Sequence, residues 1–172
     1  MPKVNKIDQR EEYYWGLKKH GGQYPSFDWP SVEIFLNLAY TYDVVSGHLS
    51  DQISPYGITR AGFGVLRILS RSQHKACKQN EISQLMLVSR ANITGLVDSL
   101  SRKGLVERIN DPHDRRVNMI TILPKGEKLL EDLLPGYYKH MYDMGSVFTA
   151  KEKKIFNDLL KRLRNRTNEV KG

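Results

Sequence analysis

Apolar residues recur at three- and four-residue steps along most of this chain, the spacing of helices with one buried face. Over residues 31–53 the series is Phe35, Leu38, Ala39, Tyr42, Val45, Leu49 and Ile53. It predicts a long helix capped by Ser31 and stopped by Ser54-Pro55-Tyr56-Gly57. Before it, residues 4–20 read as a shorter helix with Ile7, Tyr13, Tyr14, Trp15 and Leu17, ended by Gly21-Gly22. A turn-rich link follows over residues 24–30, with Pro25 and Pro30 as breakers. Thr59 begins another helix that reaches Arg71 and buries Phe63, Leu66, Ile68 and Leu69.

The period then changes. Residues 80–87 form a short helix and residues 89–103 a longer one followed by Gly104. Two β-rich runs, 105–109 and 117–123, flank the turn Asn110-Asp111-Pro112-His113-Asp114-Arg115-Arg116. Helix, tight turn, helix, then a charged hairpin is the order of a winged helix-turn-helix. Pro124 opens a further helix, where proline is well placed. Pro135-Gly136 in its interior predicts a kink or break. Thr149-Ala150-Lys151-Glu152 is a capping box. It starts a last helix with Ile155, Phe156, Leu159, Leu160 and Leu163 on one face. The fold class is therefore mainly α with a small β wing.

In residues 89–103, Ile93, Leu96, Val97 and Leu100 share the face that packs on Ile82 and Met86. Arg90, Ala91, Asn92 and Thr94 are left outward at the N-terminal end, the part of a recognition helix that meets base edges. Arginine pairs bidentately with guanine and asparagine with adenine. Ser89 caps the helix, and the free N–H groups there suit a phosphate. At the hairpin tip, Arg115 and Arg116 supply planar cations for a narrow minor groove, with Arg116 the better placed. Asp114 orients an arginine by accepting from it. Gly95 is unusual, since a mid-helix glycine costs about 1 kcal/mol against alanine. It serves a close backbone approach to DNA or to a packed neighbour, or it is a tolerated weak spot.

Charge changes the picture only by supporting it. The net charge is +8, which favours a polyanionic partner. Arg60, Arg67, Arg71, Lys75 and Lys78 follow one another with no acid between Thr59 and Asn80, and some are expected to flank the DNA backbone. Lys161, Arg162, Arg164 and Arg166 suit the last turns of a helix. The N-terminus lacks the apolar core of a signal peptide, no apolar run is long enough to span a bilayer, and one cysteine forbids an intrachain disulfide. Cytoplasmic residence is the default that follows.

The stretch Ile82-Ser83-Gln84-Leu85-Met86, then Ser89-Arg90-Ala91-Asn92-Ile93-Thr94, then Leu96-Val97-Asp98-Ser99-Leu100 resembles the helix-turn-helix of the MarR family of transcription regulators. Lys103-Gly104-Leu105-Val106-Glu107-Arg108 resembles its lead into the wing, and Asp114-Arg115-Arg116 its Asp-x-Arg wing signature. Residues 7–15 and Asp28 resemble a subgroup with an extra N-terminal helix. The chain departs from the family at Leu87, where a small turn residue is usual, at Leu123, where a threonine cap is common, and at Gly95. The resemblance implies an obligate homodimer acting on double-stranded DNA with an inverted-repeat operator. It divides the chain into an N-terminal extension (1–30), a dimerisation helix (31–58), a DNA-binding lobe (59–123) and C-terminal dimerisation helices (124–172). The apolar faces of residues 31–53 and 149–163 agree. The resemblance also implies a small-molecule effector between dimer helices and lobe, near Tyr40, Tyr42, His48 and Tyr56.

Nothing in the chain resembles a nucleophile elbow, a P-loop or a paired acid/base site. No catalytic residue, metal or cofactor is expected. Cys77 lies three residues from His74 and beside Lys75 and Lys78. Lysines there would lower the thiol pKa and make Cys77 a redox sensor; otherwise the cysteine is inert. The leading reading is a sequence-specific transcriptional regulator, a homodimeric repressor relieved by a small ligand. A redox-responsive regulator acting through Cys77 and a winged-helix protein-interaction module are the alternatives.

Overall fold

Several helix starts in this chain, those at Asp28, Thr59 and Thr149, are set by short polar side chains that accept from free backbone N–H groups. The computed structural model describes residues 6–86, 90–110 and 118–170, with side chains for all of these except 6–10, 90 and 118. Its first helix, α1, is Lys6–Gly21, and α2 is Trp29–Ile53. The expected cap at Ser31 is corrected: Asp28 Oδ2 accepts from the Ser31 backbone N–H at 3.0 Å, so Asp28 is the cap. Pro30 does not break the helix but sits in its first turn, where its missing N–H is no loss. The Asp28 carboxyl is held below the usual aspartate value by its hydrogen bonds with Ser31.

The chain forms two compact units, Met1–His48 and Leu49–Gly172, and the division falls inside α2. In the first unit an aromatic cluster ties α1 to the start of α2. Tyr14 and Phe27 both lie against Trp29, with ring centroids 6.3 and 6.4 Å away, and Lys18 stands over the same indole.

In the second unit α3, Arg60–Arg71, is central, and Thr59 caps it by accepting from Gly62 N–H at 3.1 Å. Phe63, Val65, Leu66 and Leu69 are buried along it. Around it pack α4 (Gln79–Met86), α5 (Arg90–Arg102) and α6 (Pro124–Gly145). Ile82, Ile93, Val97, Leu100, Leu130 and Leu133 complete this core, each such side chain contributing about 1.5–3 kcal/mol on removal from water. The Tyr137 ring stands edge-on to Phe63 at 4.9 Å.

Gly104 ends the α5 segment. Its left-handed backbone, φ 68°, lets the Leu105 N–H turn back to the Leu100 carbonyl at 3.1 Å. The hairpin of β2 (Val106–Asn110) and β3 (Asn118–Ile122) follows. A third strand, β1 (Ala76–Lys78), pairs antiparallel with β3 in the order β1-β3-β2, with Cys77 opposite Ile120. It is reached through a turn in which His74 and Lys75 both have positive φ, 55° and 57°. That strained backbone is held at its ends. Lys75 N–H donates to Ser72 O at 3.0 Å, Thr121 Oγ1 donates to Lys75 O at 3.2 Å, and the Lys75 ammonium pairs with Glu127.

Of the kink or break expected at Pro135, the break does not occur: α6 is one helix from Pro124 to Gly145 with Pro135 inside it. Leu130, Leu133 and Tyr137, all buried, hold both sides of the proline against the core. Leu123 caps α6 without a side-chain hydrogen bond. The last helix, α7 (Ala150–Glu169), begins with the expected capping box. Ile155, Phe156 and Leu159 on α7 are each about half exposed in the protomer.

Candidate nucleic-acid interface

Two consecutive helices, the short α4 and the longer α5, place the candidate reading surface. On α5, Ile93, Val97 and Leu100 are buried and turn the remaining face outward. Ala91, Asn92, Thr94 and Gly95 are exposed at its N-terminal half. Arg90 is the first residue of the helix; its side chain, and all of Ser89, lie outside the described residues. So do Asp114, Arg115 and Arg116, whose place in the sequence is between the ends of β2 and β3. Space around Gly95 is open: a Cβ there meets no atom of the described residues within 4 Å, so it serves no packed neighbour among them.

Two polar ties hold α5. Gln79 Nε2, at the start of α4, donates to Thr94 Oγ1 at 2.7 Å. One turn further on, the Asp98 carboxylate pairs with the Arg108 guanidinium of β2 at 2.6 Å. Neither partner was singled out from the sequence. Gln79 and Arg108 lie outside any apolar series, and nothing local marks their distant contacts.

The basic run between Thr59 and Asn80 is divided by its contacts. The Arg67 guanidinium stacks over Phe63 and Tyr137, at 5.5 and 6.0 Å from the ring centroids, and Lys75 is spent on Glu127. Arg71 is exposed and, with Arg67, lines a groove of about 510 Å³ between α3 and α4. Gly64, Ile68, Ser72, Leu85 and Met86 complete its walls. Of the aromatic residues expected near an effector, Tyr40, Tyr42 and His48 belong to the first unit and Tyr56 to the second. The Tyr56 hydroxyl donates to the Asp132 carbonyl at 3.1 Å.

Of the two readings of Cys77, the activated thiol and the inert one, the surroundings of the side chain favour the inert one. Its side chain is buried, and burial pushes the thiol above its ordinary value. Its hydrogen bond and charge interaction with Glu81 push it the same way. The neighbouring lysines do not reverse this. Among the described residues no three His, Cys, Asp or Glu side chains gather as a metal site, and no helix is long and apolar enough to cross a membrane.

A three-helix lobe with a three-stranded antiparallel sheet, the last two strands forming a hairpin after the second helix of the turn, is a winged helix-turn-helix. Comparison with known proteins narrows the class. Residues 56–117 match the MarR family. The transcriptional regulator MhqR of Bacillus subtilis is 31% identical over 133 residues, covering 77% of this chain and 90% of that protein. The repressor YetL of the same organism is 27% identical over 154 residues, 87% of this chain and 92% of its own length. A solved Streptomyces coelicolor MarR-family regulator, Sco3205 in complex with DNA, superposes with a TM-score of 0.76 at 17% identity, over 80% of this chain and 88% of that one. The chain belongs to the MarR family of transcriptional regulators, and the relatives named here are regulators rather than enzymes.

Proposed function

We propose that this chain is a sequence-specific DNA-binding repressor that works as a homodimer and is relieved by a small molecule. The observation that carries the reading is α5. A buried seam of Ile93, Val97 and Leu100 fixes its roll, and Asn92 and Thr94 stand exposed at its N-terminal half. That is the end of a recognition helix that enters the major groove. Asn92 and Arg90 read bases, Ser89 and Thr94 fix the helix on the backbone, and Arg115 and Arg116, oriented by Asp114, enter the minor groove. Similarity to a regulator solved with DNA supports this use of the lobe.

Homodimerisation is supported by apolar side chains that each protomer leaves wet. In the first unit these include Ile34, Phe35 and Leu38; in the second, Tyr138, Met141, Ile155, Phe156 and Leu159. Residues 31–58 and 124–172 supply the dimer contacts in this reading and residues 59–123 the DNA-binding lobe. The groove between α3 and α4 supports an effector site, because its volume suits a small ligand and it ends at Met86, the last residue of α4. Its two arginines suit an organic anion.

The test is a fluorescence-anisotropy titration of duplex DNA selected from a random pool. Selection returns an inverted repeat with half-site centres about 10 bp apart, one helical turn, because two-fold protein symmetry demands it. Affinity falls steeply with salt as counterions are displaced. Recovery of a single asymmetric half-site, or salt-independent binding, removes the proposal. Light scattering reports a dimer, and Phe156→Asp with Leu159→Asp shifts it to monomer.

A further inference from the structure

We infer that Asp98 and Arg108 are positioning residues that set the pitch of the wing against the recognition helix. The inference rests on the DNA-binding reading above and adds residues that reading does not use.

The two side chains come from different elements, Asp98 from the third turn of α5 and Arg108 from the middle of β2. Their charged atoms are 2.6 Å apart. Both are partly exposed, 47% and 36%, so the pair lies at the surface rather than in the core. Exposed pairs of this kind do little for stability. Their geometric effect is separate from that. In a winged helix the recognition helix and the wing must reach two adjacent grooves of one duplex together. The hydrophobic seam of α5 fixes that helix on α3 and α4. The hairpin is joined to α5 through a turn at Gly104 and by packing near its base, where Val106 is buried. Beyond Val106 the next four residues of β2 are exposed; their ladder with β3, Arg108 opposite Ile120, holds them in the sheet, and their own side chains add no core packing against α5. The ion pair acts two residues into that exposed stretch.

The second tie makes the arrangement directional. Thr94 and Asp98 are four residues apart on α5 and so share a face. Thr94 is held by Gln79 of α4 and Asp98 by Arg108 of β2. One face of the recognition helix is thereby fastened to the preceding helix at one turn and to the wing at the next.

An anion on the helix that meets DNA is unfavourable by simple attraction, since it repels phosphate. That gives the test its sign. Asp98→Asn removes the repulsion, so a protein for which charge alone matters binds operator more tightly. A protein that needs the pair binds more weakly, about tenfold, a loss within the range seen for coupled residues. Arg108→Gln weakens binding as well. The exchanged pair, Asp98→Arg with Arg108→Asp, restores affinity to within about threefold of the parent, because a coupled pair is non-additive. The measurement is anisotropy titration of the full-length protein against its operator, and against versions altered only at the base pairs under the wing. Discrimination at those outer pairs falls in both single variants, whereas discrimination at the pairs under α5 is kept. Hydrogen exchange without DNA supplies a second readout. Amides of Val106–Asn110 exchange faster in Asp98→Asn, while those of α3 do not change.

Tighter or unchanged operator binding by Asp98→Asn, or an exchanged pair as weak as the single variants, overturns the inference. Unchanged exchange in β2 overturns it too. Failure of the parent protein itself to bind any duplex is a different result and removes the DNA-binding reading instead.

Discussion

The Cys77 thiol donates a hydrogen bond to Glu81 Oε2 at 3.3 Å. Burial, and then Glu81, raise its pKa, so at neutral pH it stays a protonated thiol and a poor nucleophile. Folded protein is expected to react with a thiol-modifying reagent far more slowly than urea-unfolded protein. Cys77→Ser is expected to leave any operator binding unchanged before and after peroxide. Peroxide-driven release abolished by Cys77→Ser reverses this conclusion. The linkage has a definite sign. A thiol with a raised folded pKa contributes stability that is fully present below its unfolded value and is lost as pH rises through the folded one.

Gly95 separates helix stability from DNA approach. A Cβ at this position meets nothing among the described residues, and alanine is a better helix former by about 1 kcal/mol. Gly95→Ala is therefore expected to raise the thermal midpoint, by about 2–4 °C for a chain of this size. It is expected to weaken operator binding about tenfold, because a methyl group forced into a packed contact costs about 1–3 kcal/mol. Higher stability with unchanged affinity shows that DNA does not approach the helix backbone there.

Gly126 is the opposite case. It is buried in the first turn of α6, where a Cβ meets the Leu105 carbonyl oxygen and, at 2.8 Å, the Ile122 side chain. Gly126→Ala is expected to destabilise the lobe by about 1–3 kcal/mol, the usual cost of overpacking. Gly136, on the same helix, has nothing among the described residues within 4 Å of a Cβ. Gly136→Ala is expected to stabilise by about 1 kcal/mol. Urea unfolding of both variants checks the pair, and equal midpoints contradict the packing at the base of the wing.

The capping box of α7 gives a pH dependence. Thr149 donates to Glu152 Oε2 through both its backbone N–H and its hydroxyl, each at 2.8 Å. The backbone bond first, and the hydroxyl second, hold the Glu152 carboxyl below its ordinary value. A depressed carboxylate contributes stability that is present above its unfolded pKa and is lost as pH falls through the folded value. Carbon-detected NMR titration is expected to find Glu152 titrating below free glutamate, and Thr149→Ala to move it upward. No movement in that variant means that the cap does not hold the carboxylate.

The helices of this protein and the lead into its hairpin are legible in the amino-acid order because their causes are local. The Phe63–Leu66–Leu69 and Ile93–Val97–Leu100 spacings declare buried helix faces, and Thr149 with Glu152 declares a helix start within four residues. The cap at Asp28 is equally local, but Pro30 taken as a breaker points to Ser31, whereas in the folded chain it is a first-turn residue of α2. Other features depend on partners remote in sequence. Three residues at Ala76–Lys78 are too few to show strand alternation, and β1 exists because Cys77 meets Ile120 on β3. The left-handed backbone at His74 and Lys75 survives because Ser72, Thr121 and Glu127 hold it. Pro135 stays within one helix because Leu130, Leu133 and Tyr137 are anchored in a core that local propensity does not see. The pKa of Cys77 moves up rather than down because burial and Glu81 outweigh the lysines beside it in sequence. The ties of Gln79 to Thr94 and of Asp98 to Arg108 likewise arise only once α4, α5 and β2 are packed, since each joins side chains that the chain order leaves at least ten residues apart.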